Sequence, residues 1–162
     1  MRFVCVLISK YLARMNIPYM LSNSVIFIYI IPFILYIITS NHIHFKAFLG
    51  VAGTTIITET LKYFFIGKRS PRPEGAKNCN LLCNDGDQSG KPGMPSSHSS
   101  SVAFFSGFYF QQTDNKLIRA LLVIYAGLVM VSRYIVKCHT ISQILVGALL
   151  GVSLSWFAMR QL

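Results

Sequence analysis

The chain has 162 residues, of which 53% are hydrophobic and only 12% charged, and its mean hydropathy is +0.52. This much apolar surface excludes disorder and disfavours a soluble domain, because soluble domains carry about twice that charged share. The net charge of +10 indicates anionic partners, and lipid head groups or phosphates are favoured over nucleic acid because no soluble domain remains to carry a basic face.

Apolar runs of spanning length follow one another along the chain. They cover residues 25–39, 47–67, 97–112, 117–136 and 141–159. At about 1.5 Å per residue these runs cross the hydrocarbon, the third only marginally. Residues 1–15 mix apolar side chains with three basic ones and form either an interfacial amphipathic helix or a shortened first span. We therefore expect residues 1–162 to form one all-α integral membrane bundle of five to six spans.

The one long connection covers residues 67–95, which are polar and rich in Gly, Pro, Asn and Lys. A loop of this length in a compact protein is usually functional, so we expect an active-site loop here. Four cysteines are too few for a disulfide scaffold. Two of them, Cys79 and Cys83, lie in this loop and either pair with each other or remain thiols.

Side chains that are costly in a membrane collect at one face if the spans alternate in direction. They are Lys62, Arg72, His98, Arg133 and His139. Ionisable residues at membrane depth indicate a functional site. Three cations can hold the oxygens of a phosphate, while one imidazole attacks phosphorus and the other protonates the leaving oxygen. The pattern predicts phosphoryl transfer from an anionic lipid.

The local sequence adds geometry to this prediction. The PSS sequence at residues 95–97 is typical of a helix start, where free amides and the positive dipole end can face a phosphate. His139 and Gln143 are four residues apart and share one helical face, so the Gln carbonyl can accept the Nδ1 proton and leave Nε2 free. Arg133 and His139 would diverge on a straight helix, so the chain must break between them.

Three segments resemble the signature motifs of the type 2 phosphatidic acid phosphatase superfamily. They are LKYFFIGKRSPRP at 61–73, MPSSHS at 94–99 and SRYIVKCH at 132–139. The resemblance extends over residues 61–156, and the text around the second and third motifs is closest to the dolichyl-diphosphatase branch. It implies a helical membrane bundle, usually of six spans, whose chemistry needs no metal and no other cofactor.

The resemblance also implies roles for single residues. His139 would be the nucleophile that forms a phosphohistidine, and His98 would be the general acid. The implied phosphate-binding residues are Lys62, Arg72, Ser96, Ser97 and Arg133. Gln143 stands where most of the superfamily has an Asp that orients the nucleophile, and the dolichyl-diphosphatase branch tends to have Gln there.

The first motif departs from the family pattern. Nine residues separate Lys62 from Arg72, whereas the family has six at this point. An insertion within residues 66–70 is favoured, and Lys68 and Arg69 are then candidates for additional phosphate contacts. Lys62 could also pair with Glu59, one helical turn earlier.

The sequence as a whole favours a membrane phosphatase that hydrolyses a polyprenyl diphosphate, such as dolichyl diphosphate, at the luminal or extracytoplasmic face. One alternative is a phosphatase for lipid monophosphates such as phosphatidate, and another is a non-catalytic membrane scaffold with a vestigial site. The expected partners are the phosphorylated lipid and the bilayer. The small residues Gly147, Gly151 and Ser155 either pack within the bundle or form a homodimer seam.

Overall fold

The computed structural model describes residues 17–161, so the prediction for residues 1–15 lies outside the described part. The described residues form helices and no strand, which confirms the all-α class. The helices are α1 (Ile17–Asn23), α2 (Phe27–Thr39), α3 (His42–Thr60), α4 (Ser97–Gln112), α5 (Lys116–Ile135) and α6 (Ile141–Arg160). A 3-10 turn at Ser24–Ile26 joins α1 to α2.

Three helical stretches are long and apolar enough to cross a membrane, namely Ile17–Thr39, Lys116–Ile135 and Ile141–Arg160. The predicted count of five to six spans is therefore not confirmed. The runs predicted as the second and third spans are helical, as α3 and α4. However, α4 has only 16 residues, and it is rich in serine because it packs inside the bundle rather than against lipid.

Helix α4 is the centre of the bundle. Its apolar side chains Val102, Phe104 and Phe108 are almost completely buried, and they form one core with Val51 of α3 and Val129 of α5. The Phe104 and Phe108 rings stack with their centroids 5.8 Å apart. Burial of these side chains fixes the position of α4 against the surrounding helices, and with it the position of the α4 N-terminus.

Helix α6 approaches α4 through its stripe of small residues. A Cβ added at Gly147 would lie 2.6 Å from the backbone oxygen of Ser96, and one added at Gly151 would lie 2.1 Å from that of Ser100. Ser155 is also buried on this side of α6. The stripe thus packs within the chain, which allows two helix backbones to come close together.

The long loop folds against the helix ends that carry the predicted site. A π-helical turn, Leu61–Ile66, continues α3, and a 3-10 turn, Gly67–Arg69, follows it. Two isolated antiparallel bridges, Pro71 to Pro92 and Lys77 to Asp87, organise the rest of the loop.

A disulfide between Cys79 and Cys138 connects this loop to the turn between α5 and α6. Both interpretations of Cys79 made from the sequence, a bond to Cys83 or an unpaired thiol, are therefore wrong. Cys83 forms no disulfide with another described residue.

Candidate active site

The π-helical turn after α3 brings Lys62 into the interior, where it is only 2% exposed. Its ammonium group lies 2.6 Å from a carboxylate oxygen of Glu59 and donates to the Ser97 hydroxyl at 2.5 Å. The Ser97 hydroxyl in turn donates to the same Glu59 oxygen. The pairing of Lys62 with Glu59 is thus confirmed, and Glu59 connects the first motif to the first turn of α4. Turns of π-helix are frequent at functional sites.

Arg72 reaches the α5–α6 turn from the loop. Its Nη1 is 3.3 Å from the carbonyl oxygen of Cys138 and 3.3 Å from Nε2 of His139. Its Nε is buried and has no hydrogen-bond partner among residues 17–161. Burial is the main cause that lowers the pKa of Arg72 from its ordinary value. An anion that binds beside this guanidinium therefore stabilises its charged form.

The two other basic residues of this segment point elsewhere. Lys68 and Arg69 lie in the 3-10 turn and are exposed. Neither lines the cavity into which Lys62 and Arg72 open. The extra residues of the first motif thus form an external turn, and the Arg that precedes Pro is the one that contacts His139.

Arg133 lies in the last turn of α5 as a completely buried cation. Its Nη1 donates to the Ser22 hydroxyl of α1, and its Nη2 donates to the carbonyl oxygen of Cys79 at 2.6 Å. Helix α5 stops at Ile135, and Lys137 has a left-handed φ of 56°. The predicted break between Arg133 and His139 is confirmed.

His139 sits just before α6 with one ring nitrogen held by Gln143. The Nδ1 atom is 3.2 Å from the Gln143 Oε1. The amide nitrogen of Gln143 donates to the carbonyl oxygen of Pro71 at 2.8 Å and to the Ser70 hydroxyl at 3.1 Å. Because the amide nitrogen has these acceptors, its oxygen faces His139 and accepts the Nδ1 proton. The lone pair of Nε2 therefore faces Arg72.

The surroundings of His139 favour a neutral imidazole. Burial is the largest cause that lowers its pKa well below 6.5, and the charges of Arg72, Arg133 and Lys62 act in the same direction. The Gln143 hydrogen bond opposes them only weakly, as the last of the causes. A neutral ring with its proton on Nδ1 is the form in which Nε2 can act as a nucleophile.

Helix α4 begins beside this histidine. The Ser96 amide donates to the backbone carbonyl oxygen of Gln143 at 3.0 Å, and the Ser96 hydroxyl accepts from the Ser99 hydroxyl at 3.0 Å. These contacts hold Ser96 between α4 and α6. The next amides belong to the first helical turn and have no intrahelical acceptor. His98 follows in that turn, and its buried Nε2 has no partner among the described residues.

These groups enclose one cavity of about 300 Å³. The predicted site residues that line it are Lys62, Arg72, Ser97, His98 and His139. Ser96, Arg133 and Gln143 do not line the cavity. Gln143 holds His139, Arg133 holds the carbonyl of Cys79, and Ser96 contacts the backbone of Gln143. Two buried nitrogens of this lining, Nε of Arg72 and Nε2 of His98, have no partner among the described residues, and the free amides of the α4 N-terminus lie beside them. The cavity is therefore a favourable place for an oxyanion, which accepts several hydrogen bonds at once.

Some residues of the site were not found from the sequence. Asp85 lines the cavity and accepts from the Cys79 amide at 2.6 Å. Ser22 holds Arg133, and no sequence signal indicates this contact because it depends on how α1 packs against α5. The Cys79–Cys138 bond had a signal, since Cys138 adjoins the predicted nucleophile and both cysteines lie at the predicted site face.

Comparison with known proteins agrees with the geometry. A search of curated proteins and a search of solved structures each found no match. A family model of the PAP2 superfamily, whose members are phosphatases, matches residues 43–162. This match covers well over half of the chain and includes every predicted site residue. The chain therefore belongs to the PAP2 superfamily.

Proposed function

We propose that the protein is a membrane phosphatase that hydrolyses a lipid phosphate, and that its preferred substrate is a polyprenyl diphosphate such as dolichyl diphosphate. The observation that carries the proposal is the single cavity in which Lys62, Arg72, His98 and His139 meet. Membership of the PAP2 superfamily supports a phosphatase for phosphorylated, lipid-like substrates.

The walls of the cavity support a lipid rather than a water-soluble phosphate ester. Val25, Tyr29 and Leu81 line the same cavity as the cations. The first two belong to the membrane-spanning stretch Ile17–Thr39. A lipid could place its phosphate against the cations and its chain along these apolar residues, because both environments adjoin one another.

The proposed reaction consists of two in-line displacements. In the first, Nε2 of His139 attacks the terminal phosphorus, the bond from phosphorus to the leaving oxygen breaks, and His98 gives that oxygen a proton. In the second, His98 removes a proton from water, whose oxygen attacks the phosphohistidine and releases inorganic phosphate. Lys62 and Arg72 neutralise the charge on the phosphoryl oxygens.

Arg72 has a second task in this scheme. Its Nη1 lies 3.3 Å from the attacking nitrogen of His139. An incoming phosphate offers this guanidinium a charged acceptor, so Arg72 can exchange the imidazole for a phosphate oxygen. The exchange frees the Nε2 lone pair only when a phosphate is bound. The negative charge of the phosphate also allows His98 to carry the proton that it donates.

The disulfide supports a luminal or extracytoplasmic orientation of the site. Disulfides persist in oxidising compartments and are rare in the cytosol. The Cys79–Cys138 bond lies at the same end of the bundle as His139, which follows Cys138 directly. We therefore propose that this end faces the oxidising side of the membrane.

The test of the function is phosphate release by the purified protein in detergent. We expect a polyprenyl diphosphate to be hydrolysed faster than phosphatidate, with little effect of chelators. A preference for phosphatidate above about tenfold in kcat/KM would favour the lipid monophosphate alternative. A folded protein that releases no phosphate from either lipid would be the non-catalytic scaffold, and strict dependence on a divalent metal would contradict the mechanism.

The test of the mechanism is trapping of labelled phosphoenzyme by rapid quench without acid, because phosphohistidine is acid-labile. His139→Ala should abolish the label. His98→Ala should still form it from an aryl phosphate, whose leaving group needs little protonation, and should hydrolyse it slowly. His42→Ala is the matched control, since His42 is exposed and distant from the site. Label retained in His139→Ala but absent in His98→Ala would reverse the two roles.

A further inference from the structure

The Cys79–Cys138 disulfide connects two segments whose relative position matters for the proposed reaction. Cys79 lies in the long loop, and Cys138 directly precedes His139; the two are 59 residues apart in sequence, and their Cα atoms are 5.5 Å apart. Both residues are buried, in a small cluster with Ala76 and Val136. The bond thus lies in the interior beside the cavity and not on the protein surface.

Each half of the disulfide also binds one arginine of the site through its backbone. The Cys79 carbonyl accepts from Nη2 of Arg133 at 2.6 Å, and the Cys138 carbonyl accepts from Nη1 of Arg72 at 3.3 Å. The contacts are crossed, since the loop residue holds the arginine of α5 and the residue beside α6 holds the arginine of the loop. The covalent bond therefore fixes the two guanidinium groups relative to each other.

Electrostatics makes such a connection useful. Lys62, Arg72 and Arg133 are like charges around one cavity, and Glu59 and Asp85 are the carboxylates that line it among the described residues. Without a bound phosphate, the cations repel one another in surroundings of low dielectric constant. The loop that carries Arg72 has two isolated bridges, and hydrogen bonds from Gln143 hold its residues Ser70 and Pro71. The disulfide adds a covalent connection between this loop and the segment that carries His139, which opposes the repulsion.

We propose that the Cys79–Cys138 disulfide is a positioning element of the phosphate site, which holds the two carbonyls that place Arg72 and Arg133 beside His139. This inference rests on the proposed phosphatase function. It follows that phosphatase activity depends on the oxidised bond. Reduction by dithiothreitol transfers two electrons and two protons to the bond: the S–S bond breaks, thiols form on Cys79 and Cys138, and the reagent closes to a cyclic disulfide.

Cys83 provides a matched control within the same loop. It forms no disulfide within the described part of the chain. Its Sγ donates to Asn23 at 2.8 Å. Burial raises the pKa of the Cys83 thiol above its usual value, which keeps it protonated and makes it a poor nucleophile for exchange with the neighbouring disulfide.

The experiment compares the full-length protein in detergent before and after treatment with dithiothreitol. Mass spectrometry with thiol labelling follows the state of Cys79 and Cys138. We expect KM for the lipid substrate and the inhibition constant of vanadate to rise about 10- to 100-fold on reduction, because misplaced phosphate-binding groups weaken both. Reoxidation with oxidised glutathione should restore both constants. Replacement of both Cys79 and Cys138 by Ala should reproduce the reduced state and abolish the response, whereas Cys83→Ala should behave as the wild type.

The outcomes separate this inference from the function on which it rests. An oxidised wild type without phosphatase activity overturns the proposed function itself. An active wild type whose KM and vanadate constant do not change after demonstrated reduction overturns only the positioning role. So does an active wild type in which labelling finds Cys79 and Cys138 as thiols. A lower melting temperature with an unchanged KM in the remaining active enzyme would make the bond structural. Because dithiothreitol acts on protein already folded, the test does not depend on how the variants fold.

Discussion

The close contact between α4 and α6 makes Gly151 the sharpest test of the packing. A Cβ at Gly151 would lie 2.1 Å from the Ser100 carbonyl oxygen and 2.9 Å from the Cβ of Ala103. A carbon and a carbonyl oxygen normally approach no closer than about 3.3 Å. The Ser100 oxygen belongs to the backbone of α4 and cannot rotate away. Gly151→Ala should therefore push the two helices apart by about 1 Å at this point.

The expected cost follows from two opposing terms. Overpacking a tight interior costs about 1–3 kcal/mol, and contact with rigid backbone places this site near the upper end. The higher helix propensity of Ala over Gly stabilises the folded state by about 1 kcal/mol. The net loss in the free energy of unfolding should be about 2 kcal/mol, or about 30-fold in the unfolding equilibrium.

The assay is unfolding in mixed micelles by titration with a denaturing detergent, followed by circular dichroism. Gly127→Ala in α5 is the matched control, because a Cβ there meets no atom within 4 Å. This control should be neutral or stabilised by up to about 1 kcal/mol. Equal stability of Gly151→Ala and Gly127→Ala would refute the close approach of α4 and α6.

Four further predictions concern the site. Glu59→Gln should lower kcat/KM about tenfold with the fold intact, because Lys62 and Ser97 lose their shared anionic acceptor. Glu59→Asp should retain part of the lost activity. An unchanged kcat/KM of Glu59→Gln in steady-state kinetics would contradict this prediction. Gln143→Ala should lower the rate of phosphoenzyme formation about 10²-fold, because the tautomer of His139 is no longer fixed. Substitution of the exposed Gln111 by Ala should have no effect. Equal rates in the two variants would show that Gln143 does not orient His139. Because burial lowers the pKa of His139 well below 6.5, phosphoenzyme formation measured by rapid quench should persist below pH 6.5, and a rate that halves near that value would contradict a neutral folded imidazole. The unfolded chain takes up this proton near its ordinary pKa, so the free energy of unfolding should fall as the pH drops below about 6.5.

The helices could be predicted closely because their signal is local. The apolar runs at 117–136 and 141–159 correspond to α5, Lys116–Ile135, and α6, Ile141–Arg160. A predominantly apolar composition over that length indicates a helix that can cross the hydrocarbon. The number of spans is a different matter, since α4 has only 16 residues, is rich in serine and lies inside the bundle. Its length and composition do not make it a candidate span, although its sequence contains an apolar run.

The candidate site could be predicted in part for a similar reason. The motif residues lie at helix ends, so the topology of alternating helices brings them to one face. The path of the loop has no periodic signal. Whether Arg69 or Arg72 enters the cavity, and which cysteine reaches Cys138, depends on how residues 67–95 fold across that face. Contacts of the loop with the distant α5–α6 segment decide both questions, and they include the hydrogen bond from Gln143 to Pro71 and the disulfide from Cys79 to Cys138.

The loop also gives a physical reason for Gln at position 143. An orienting Asp, the usual residue in the superfamily at this point, could accept the Nδ1 proton of His139 but has no hydrogen to donate. Here the Gln143 amide nitrogen donates to the Pro71 carbonyl and the Ser70 hydroxyl. A Cβ added at Gly93 would lie 2.7 Å from the same amide group, so the loop closes tightly over it. A carboxylate in this place would face the Pro71 carbonyl oxygen without a proton between them, which is repulsive in a buried site. The neutral amide is the side chain that can hold the imidazole and the loop at the same time.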